Sequence, residues 1–361
     1  YSKGSHAVYV ASPYMKRYAY QGNVNFSYSK TRSVENIEDR SAANDFSLQW
    51  SHSPQSKSSG RFSASVNAAT STYNKNNNLM YGSPNELSSG RLSQISTKLS
   101  SNVSYSKRFL GTPFSMGINL SHNQDLKTRI VDLPLPNVSL NMTNIYPFQR
   151  KGQTGVLDNL SVGYSMAGTN RITNNLGRLN PLASRDSIAP FNLENLSYFF
   201  RNGKKGIRHV IPVSYSFKAL KFFTVSPAMN YEERWYFEKQ TWQFADSTTN
   251  RKIVADTLPG FNRIANFNFS AGIATRVYGM YFFKNPASRI RAIRHIINPN
   301  ISFSYVPDFS NNRNYFQRFE DRGRPGEYLY QSRHQGFVYG GSNTGRSGSI
   351  NFGLGNNLEM K

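Results

Sequence analysis

The chain has 361 residues, of which 43 are Lys or Arg and 20 are Asp or Glu, so its formal net charge is +23. Only 38% of the residues are apolar, although Tyr (22) and Phe (25) are plentiful, and this composition is poor for a dense core that is buried on both sides. Cys is absent, which excludes disulfides and thiol chemistry. The sequence contains no run of about 18 apolar residues, so no transmembrane helix is predicted. The chain opens at Tyr1 without Met or a signal peptide, which we interpret as a mature chain or a fragment.

Apolar and polar residues alternate in about thirteen short segments, which predicts β-strands with one apolar and one polar face. In chain order these segments are residues 6–12, 17–30, 45–53, 62–68, 92–106, 114–121, 138–142, 160–166, 211–217, 225–231, 267–277, 298–305 and 350–354. Residues 191–200 could form a short helix or an edge strand. Pro212, Pro227 and Pro299 lie within predicted strands, where each removes a hydrogen bond of the ladder.

Residues 262–306 are predicted to form a long hairpin with a basic turn. An apolar face that can cross a bilayer as a tilted strand (about 9–11 residues), followed by aromatic and then charged residues, is typical of outer-membrane barrels. The hairpin of a soluble sandwich would show the same alternation. The candidates for an aromatic girdle are Trp235, Tyr236, Phe237, Tyr281, Phe282 and Phe283.

The predicted connections alternate between short and long along most of the chain. The short ones, all with Lys or Arg, lie near Pro13, Pro54, Gly111, Pro147, Ala219 and Pro286. The long ones lie near Glu35, Asn77, Leu133, Ile188, Thr248 and Arg318. Because outer-membrane barrels place short turns and long loops on opposite rims, we predict an all-β fold, a transmembrane antiparallel β-barrel, over residues 1–361. An odd number of strands indicates either a miscount or part of a larger barrel.

The excess of positive charge implies an anionic partner. Nucleic acid is disfavoured, because the basic residues are scattered through turns and loops and no RNA-binding aromatic motif is present. An anionic lipid or a phosphorylated glycan remains.

Enzyme chemistry is also disfavoured. The six His residues have no metal-ligand spacing, Ser is too common for a nearby His to mean much, and the pair Glu232 and Glu233 fits the rim of a barrel. We therefore predict no catalytic residues, no metal and no cofactor.

Several segments together resemble a known family. They are residues 135–142 (LPNVSLNM) with 145–148 (IYPF), 209–212 (HVIP) with 215–217 (YSF), 260–263 (GFNR), 292–299 (AIRHIINP) with 303–305 (FSY), and 347–357 (SGSINFGLGNN). In this order they resemble the Bacteroidetes branch of LptD, the lipopolysaccharide-assembly barrel. The first third of the chain resembles the family only in its general pattern and contains none of these segments. The family's N-terminal periplasmic domain and its domain-linking cysteines are not evident.

The resemblance implies a very large barrel in the outer membrane of a Gram-negative cell, surrounded by outer-membrane lipids, that inserts lipopolysaccharide into the outer leaflet. It also implies two partners, a plug lipoprotein (LptE-like) and a periplasmic bridge protein. The family's lateral gate joins the first and last strands of a complete barrel, so it cannot be placed on this sequence if strands are missing. The alternatives that the residues leave open are a passive pore or transporter for anionic solutes and a surface adhesion barrel.

A polar, basic lumen would favour the phosphorylated head group of lipopolysaccharide through charge-assisted hydrogen bonds. Candidate lumen residues are Arg276, Arg208 and Arg294. A second basic cluster lies in the longest predicted loop and comprises Arg313, Arg318, Arg322, Arg324 and Arg333. Ordinary solvated cations of a rim or a loop would give the same pattern.

Overall fold

The computed structural model describes residues 6–32, 42–54, 59–69, 98–125, 127–150, 155–177, 185–246, 248–284 and 289–360. The predicted loops near Glu35 and Asn77, and most of the turn near Pro286, fall outside these residues. None of the helical segments in the described part of the chain has the length and apolar character that a membrane-crossing helix needs.

Strands dominate the described residues. They are β1 (His6–Lys16), β2 (Tyr20–Arg32), β3 (Ala42–Pro54), β4 (Gly60–Ala69), β5 (Lys98–Arg108), β6 (Phe114–Asp125), β7 (Ile130–Ile145), β8 (Ser161–Thr173), β9 (Lys204–Ser214), β10 (Phe217–Ala219), β11 (Phe223–Phe244), β12 (Lys252–Ala274), β13 (Val277–Phe282), β14 (Ala292–Val306), β15 (Phe316–Glu320), β16 (Tyr328–Ser332) and β17 (Ser347–Met360). One helix, α1 (Leu193–Arg201), lies between β8 and β9. It confirms the helical alternative for residues 191–200.

Fifteen strands form one sheet in the order β1-β2-β3-β4-β5-β6-β7-β8-β9-β11-β12-β14-β13, with β10 also paired to β11 and β17 to β14. Strands β15 and β16 form a separate hairpin. All the strand registers that the structure defines are antiparallel, so the predicted all-β antiparallel fold is confirmed.

Two prolines explain why fifteen strands match the thirteen predicted segments. Strands β9 and β10 pair with β11 in one continuous register and are interrupted where Tyr215 lies opposite Pro227. Strands β12 and β13 likewise share one register with β14, and they are interrupted where Thr275 lies opposite Pro299. In both places the residue opposite donates its backbone N–H to the proline carbonyl, but proline has no N–H to return. When each interrupted pair is taken as one strand, the sheet has the thirteen strands that were predicted.

Three predicted connections are wrong. Strand β7 begins at Ile130, so the long loop placed near Leu133 is a short turn; Pro134 and Pro136 lie inside the strand and hid it. The long loop placed near Thr248 is instead the end of a hairpin, because β11 and β12 reach Phe244 and Lys252. The connection near Pro147 is long, since it spans residues 146–160. Short and long connections therefore do not alternate strictly.

The fold comprises two compact units, Tyr1–Leu140 with Ala167–Lys205 and Asn141–Met166 with Gly206–Lys361. The prediction of a single β-barrel domain over residues 1–361 stays a prediction.

In the first unit, a small core forms where the connection after β8 packs on β7. Its buried members are Val131, Leu133, Ile172 and Phe199, the last from α1. Asn174 is 1% exposed, and its side chain accepts a hydrogen bond from Val131 N (2.8 Å) and donates to the carbonyls of Arg129 (2.9 Å) and Ala189 (3.0 Å). A buried amide with these partners fixes the loop without an unsatisfied polar group.

An aromatic cluster lies at the turn between β1 and β2 in the first unit. The Tyr14 ring covers Gly22, where a Cβ atom would approach a ring carbon to 2.2 Å. The Tyr14 hydroxyl accepts a hydrogen bond from Trp50 Nε1 (2.7 Å) and bonds His52 Nδ1 (2.9 Å). Glycine is required here because any side chain would displace the ring or collide with the Ser51 carbonyl.

The second unit contains the predicted hairpin of residues 262–306. The register places Phe269 opposite Tyr305, Ala271 opposite Phe303 and Ile273 opposite Ile301, so apolar residues pair with apolar residues, as the alternation requires. Strands β11 and β12 continue past a bulge at residues 236–238, where Gly260 has φ +142°. They contain 22 and 23 residues, about twice what a tilted strand needs to cross a bilayer.

Candidate functional site

The sheet of the second unit has one face of small, uncharged polar residues, which we call the polar face. The registers of β11, β12, β14 and β17 bring these residues together in rows across the strands. They are Ser226, Asn230, Asn268, Ser270, Gly272, Asn298, Asn300, Ser302, Ser304, Ser349 and Asn351. The hydroxyls of Ser304 and Ser349 hydrogen-bond across two strands at 2.8 Å. A surface of hydroxyls and amides can hydrogen-bond water or sugars without holding a charge.

The opposite face of the same strands is apolar and uncovered. Phe269 is 42% exposed and Phe352 is 77% exposed, and Ile273, Ile301 and Phe303 are also exposed. A continuous exposed apolar face of this kind is a membrane-facing surface in a β-barrel.

At the end of the polar face near the bulge, an ion-pair group holds Arg208. Glu232 Oε1 lies 2.9 Å from Arg208 Nε and 2.6 Å from Arg234 Nε, so one carboxylate bridges two arginines. The side chains of Arg234 and Glu232 are only 16% and 15% exposed. Arg208 is therefore on the predicted face, but its charge is matched by a carboxylate.

The pair Glu232 and Glu233 does not act together. Glu233 points to the other face, where it lies 2.7 Å from Arg263 Nε and accepts hydrogen bonds from Trp235 Nε1 and from the Tyr231 hydroxyl (both 2.5 Å). Neighbouring residues of a strand project to opposite sides, so the two carboxylates cannot serve as an acid/base pair. The described residues also contain no group of three His, Cys, Asp or Glu side chains that could hold a metal ion.

Residues 307–346, which we call the docked loop, fold back onto the polar face. Arg234 Nη1 donates to the Gly341 carbonyl (2.7 Å) and the Tyr236 hydroxyl donates to the Gly340 carbonyl (2.7 Å). Ser342 Oγ donates to Asn266 Oδ1 at 2.5 Å. A core of Tyr236, Ile264, Tyr315 and Phe316 seals the contact. The loop thus covers one end of the polar face.

His334 is buried inside the docked loop. It is 1% exposed, stacks on Tyr236 with ring centroids 5.1 Å apart, and meets Phe337 edge-on at 5.4 Å. Neither ring nitrogen has a hydrogen-bond partner among the described residues. Burial, helped by the positive charges of Arg333 and Lys239, lowers the pKa of His334 to about 4, so the ring is neutral at pH 7.

The five arginines predicted as a loop cluster make separate contacts. The Arg322 guanidinium lies 3.8 Å from the centre of the Phe244 ring and donates to the carbonyls of Asp246 and Thr249. Arg318 lies over Tyr328 at 4.1 Å, Arg324 pairs with Glu327 at 3.2 Å, and Arg333 donates to the Arg313 carbonyl at 3.0 Å. These contacts hold the docked loop together and join it to the hairpin of β11 and β12.

At the other end of the polar face, Arg276 lines an open recess of about 690 Å³. Its Nε donates to Asn298 Oδ1 (3.0 Å) and its Nη1 to the Tyr278 hydroxyl (3.3 Å). Lys218 and Lys221, which sequence reasoning did not select, line the same recess. Their position in one of the short basic turns was the available signal. Arg294, by contrast, pairs with Glu359 at 3.4 Å.

The residues predicted to form the aromatic girdle separate into two groups, and the prediction is wrong for one residue of the first group. The Trp235 ring lies against the His209 ring at a tilt of 51°, with centroids 4.2 Å apart, and Phe237 is 50% exposed beside Phe261. Tyr236 is instead fully buried beneath the docked loop, because it projects to the polar face.

The second group, Tyr281, Phe282 and Phe283, is exposed, and the first and last of these rings pack edge to face at 5.1 Å. The sequence interpretation missed the cluster of the first unit, which comprises Tyr14, Tyr20, Trp50, His52 and Phe62.

The whole chain, residues 1–361, matches a family model described as LptD protein. No match was found among curated proteins. The match and the all-β sheet agree with the family's β-barrel in the outer membrane and with its role in transport and assembly. The narrower placement in the Bacteroidetes branch stays a prediction. The chain therefore belongs to the LptD family, which acts in lipopolysaccharide transport to the outer membrane.

Proposed function

We propose that this chain forms the wall of the β-barrel of a translocon that inserts lipopolysaccharide into the outer leaflet. In this proposal the polar face lines the path of the phosphorylated head group and the apolar face contacts membrane lipid. The observation that carries it is the contrast between rows such as Ser226, Gly272, Ser302 and Asn351 and the exposed Phe and Ile side chains behind them.

The chemistry of the polar face suits an amphipathic substrate that must keep moving. Sugars and phosphates need hydrogen bonds along the way, but strong ion pairs along the whole path would hold the head group in place. Hydroxyls and amides supply weak, exchangeable hydrogen bonds, while cations stand at the two ends. The acyl chains leave sideways into lipid, where burial of their methylene groups is favourable.

The proposal also includes the partners of the family. A plug lipoprotein would occupy the lumen, and a periplasmic bridge protein would deliver lipopolysaccharide to the barrel in a Gram-negative cell.

Two neighbouring substitutions test the assignment of the faces. Gly272→Trp places a bulky ring on the polar face, where a Cβ atom meets nothing within 4 Å, so the fold can accept it. Ile273→Trp places the same ring on the exposed apolar face as the matched control. We expect cells depleted of the native protein to lose surface lipopolysaccharide when they carry Gly272→Trp and to keep it when they carry Ile273→Trp.

The readout is lipopolysaccharide accessible at the cell surface, measured together with the amount of heat-modifiable, folded barrel. Equal surface delivery by the two variants at equal barrel levels would contradict the assignment of the faces. Normal surface lipopolysaccharide after complete depletion would contradict the proposed function itself.

A passive path for anionic solutes is the second candidate, and the recess with Lys218, Lys221 and Arg276 is the observation that favours it. Anion-selective conductance of the purified protein in a planar bilayer, together with normal surface lipopolysaccharide after depletion, would favour this alternative.

A further inference from the structure

The recess at the turn between β10 and β11 gathers three positive charges. Lys218 comes from β10, Lys221 from the turn that follows it, and Arg276 from the interruption between β12 and β13. Thr224 and Asn300 line the same recess, so hydroxyl and amide donors stand beside the cations. The recess lies within the second unit, at the opposite end of the polar face from the docked loop.

Two of the three cations of the recess, Lys218 and Arg276, are held by neutral oxygens, not by carboxylates. Lys218 Nζ donates to Thr224 Oγ1 (3.0 Å), and Arg276 donates to Asn298 Oδ1 (3.0 Å) and the Tyr278 hydroxyl (3.3 Å). Such partners orient a cation without neutralising it. The residues that line the recess include no Asp or Glu.

Five other arginines of the same unit differ in this respect, whereas Arg318, Arg322 and Arg333 contact aromatic rings or backbone carbonyls. Arg208, Arg234, Arg263, Arg294 and Arg324 each pair with a carboxylate within 4 Å. Three cations that share a recess without a counter-charge repel one another, and an anion bound between them would remove that repulsion.

The turn that carries Lys221 is strained. Leu220 and Lys221 have φ values of +49° and +66°, in the left-handed region that residues other than glycine rarely adopt. Strained backbone of this kind is concentrated at functional sites, where surrounding structure maintains it. Here the backbone conformation fixes the position of Lys221 beside the recess.

We infer that this recess binds a phosphate group of a phosphorylated glycolipid, with Lys218, Lys221 and Arg276 sharing the anion. The inference rests on the proposed function, because it names the part of the substrate that this end of the polar face holds. A guanidinium can donate two parallel hydrogen bonds to one phosphate, while the two ammonium groups act as point charges. The site would therefore recognise the phosphate of the head group and not its acyl chains.

The test uses full-length protein purified in detergent, with bisphosphorylated lipid A and chemically dephosphorylated lipid A of the same acyl composition as probes. The test variant is Lys218→Gln with Lys221→Gln and Arg276→Gln. The matched control, Lys16→Gln with Lys107→Gln and Arg108→Gln, removes the same charge from exposed cations near short turns of the first unit. Inorganic phosphate and phosphatidylglycerol vesicles are separate competitors.

We expect wild-type and control proteins to bind the phosphorylated probe about tenfold more tightly than the dephosphorylated one, and the test variant to lose most of this preference. Phosphate preference that survives in the test variant, or that falls equally in the control, would overturn the inference. Displacement of the phosphorylated probe by low concentrations of inorganic phosphate or by phosphatidylglycerol would assign the recess to free phosphate or to phospholipid, and would also overturn it.

The two proposals can fail separately. Loss of surface lipopolysaccharide on depletion, combined with unchanged probe binding by the test variant, would overturn only the recess. Normal surface lipopolysaccharide on depletion, combined with a phosphate preference that depends on the recess, would overturn only the translocon.

Discussion

The burial of His334 is the clearest case in which one residue determines how the docked loop responds to its surroundings. Both ring nitrogens lack partners among the described residues, and the ring is enclosed by Tyr236 and Phe337. Protonation would place a charge in an apolar setting beside the positive charges of Arg333 and Lys239. The loop is therefore more stable while this ring is neutral.

We predict that docking of residues 307–346 weakens as the pH falls. The pKa of His334 drops from the ordinary value of 6.5 to about 4 in the folded loop, so the unfolded loop binds the extra proton in this interval. The contribution of His334 to the stability of the docked loop is complete above pH 6.5. It falls by at most about 1.4 kcal/mol per pH unit between pH 6.5 and pH 4, and it does not change further below pH 4. Hydrogen–deuterium exchange of the loop from pH 7.5 to 4 measures it.

His334→Phe provides the comparison, because phenylalanine can keep the stack on Tyr236 but cannot titrate. Hydrogen bonds from Ser310 and Asn250 lower the pKa values of Asp308 and Asp321 from the ordinary value of 3.8, so these groups weaken the loop only near and below that pH. The difference between wild type and His334→Phe therefore reports the histidine. His6→Phe, at the start of β1, should keep the wild-type profile. Parallel profiles for wild type and His334→Phe would rule out the histidine as the cause.

At the scale of elements, the far end of the β11–β12 hairpin and the docked loop support each other. Gln317 of β15 accepts a hydrogen bond from Trp242 N (2.9 Å) and donates one to the Trp242 carbonyl (2.8 Å), as a neighbouring strand would. Trp242 Nε1 donates to the Ser332 carbonyl at 2.9 Å. Neither element has a complete set of backbone partners without the other.

We predict that Gln317→Glu loosens this contact. A carboxylate can still accept from Trp242 N, but it cannot donate to the Trp242 carbonyl, and it places two acceptors face to face at a cost of about 1–3 kcal/mol. Limited proteolysis should cut residues 307–346 faster in the variant, with the sheet intact. Gln335→Glu is the matched control, since Gln335 accepts a hydrogen bond from Gln331 and glutamate can do the same. Equal cleavage rates in the two variants would mean that the Gln317 contact is dispensable.

The strands could be predicted from sequence where the two faces differ in polarity. Strand β6 and the pairing of β12 with β14 followed directly from alternation, because each has one apolar and one polar face. The start of β7 was missed because prolines suggest loops. The far hairpin was missed because Glu238, Lys239 and Gln240 show no apolar alternation.

The site was only partly predictable for a different reason. Arg276 was selected because it stands on the polar side of an alternating strand. The docked loop could not be foreseen, since its contacts join residues about a hundred positions apart, such as Arg234 and Gly341. Tyr236 carried no signal that separated burial beneath a loop from exposure at a membrane interface.

At the scale of the molecule, the net charge of +23 does not translate into a uniformly basic path. Within the second unit the middle of the polar face is neutral, and cations occur at its two ends, where they are bridged by Glu232 at one end and uncompensated at the other. A head group that followed this face would leave the phosphate recess, cross hydroxyls and amides, and then meet the docked loop.

That order makes the docked loop a barrier that must move if the polar face is the path. Because the chain contains no Cys, the double substitution Ser342→Cys with Asn266→Cys would introduce its only two thiols, which oxidation can join in a disulfide. The Ser342 Oγ and Asn266 Oδ1 atoms lie 2.5 Å apart. We predict that oxidation of this pair stops delivery of lipopolysaccharide to the surface and that a reductant restores it. Pulse-labelled lipopolysaccharide at the cell surface is the measurement.

The matched control is Ser304→Cys with Ser349→Cys, which links β14 to β17 on the same face at side chains 2.8 Å apart. This pair joins strands that are already hydrogen-bonded, so its oxidation should leave delivery unchanged. If oxidation of the loop pair also left delivery unchanged while the disulfide formed completely, the loop would be a fixed wall. Head groups would then have to pass beside it, and the neutral polar face would be the path only as far as Asn266.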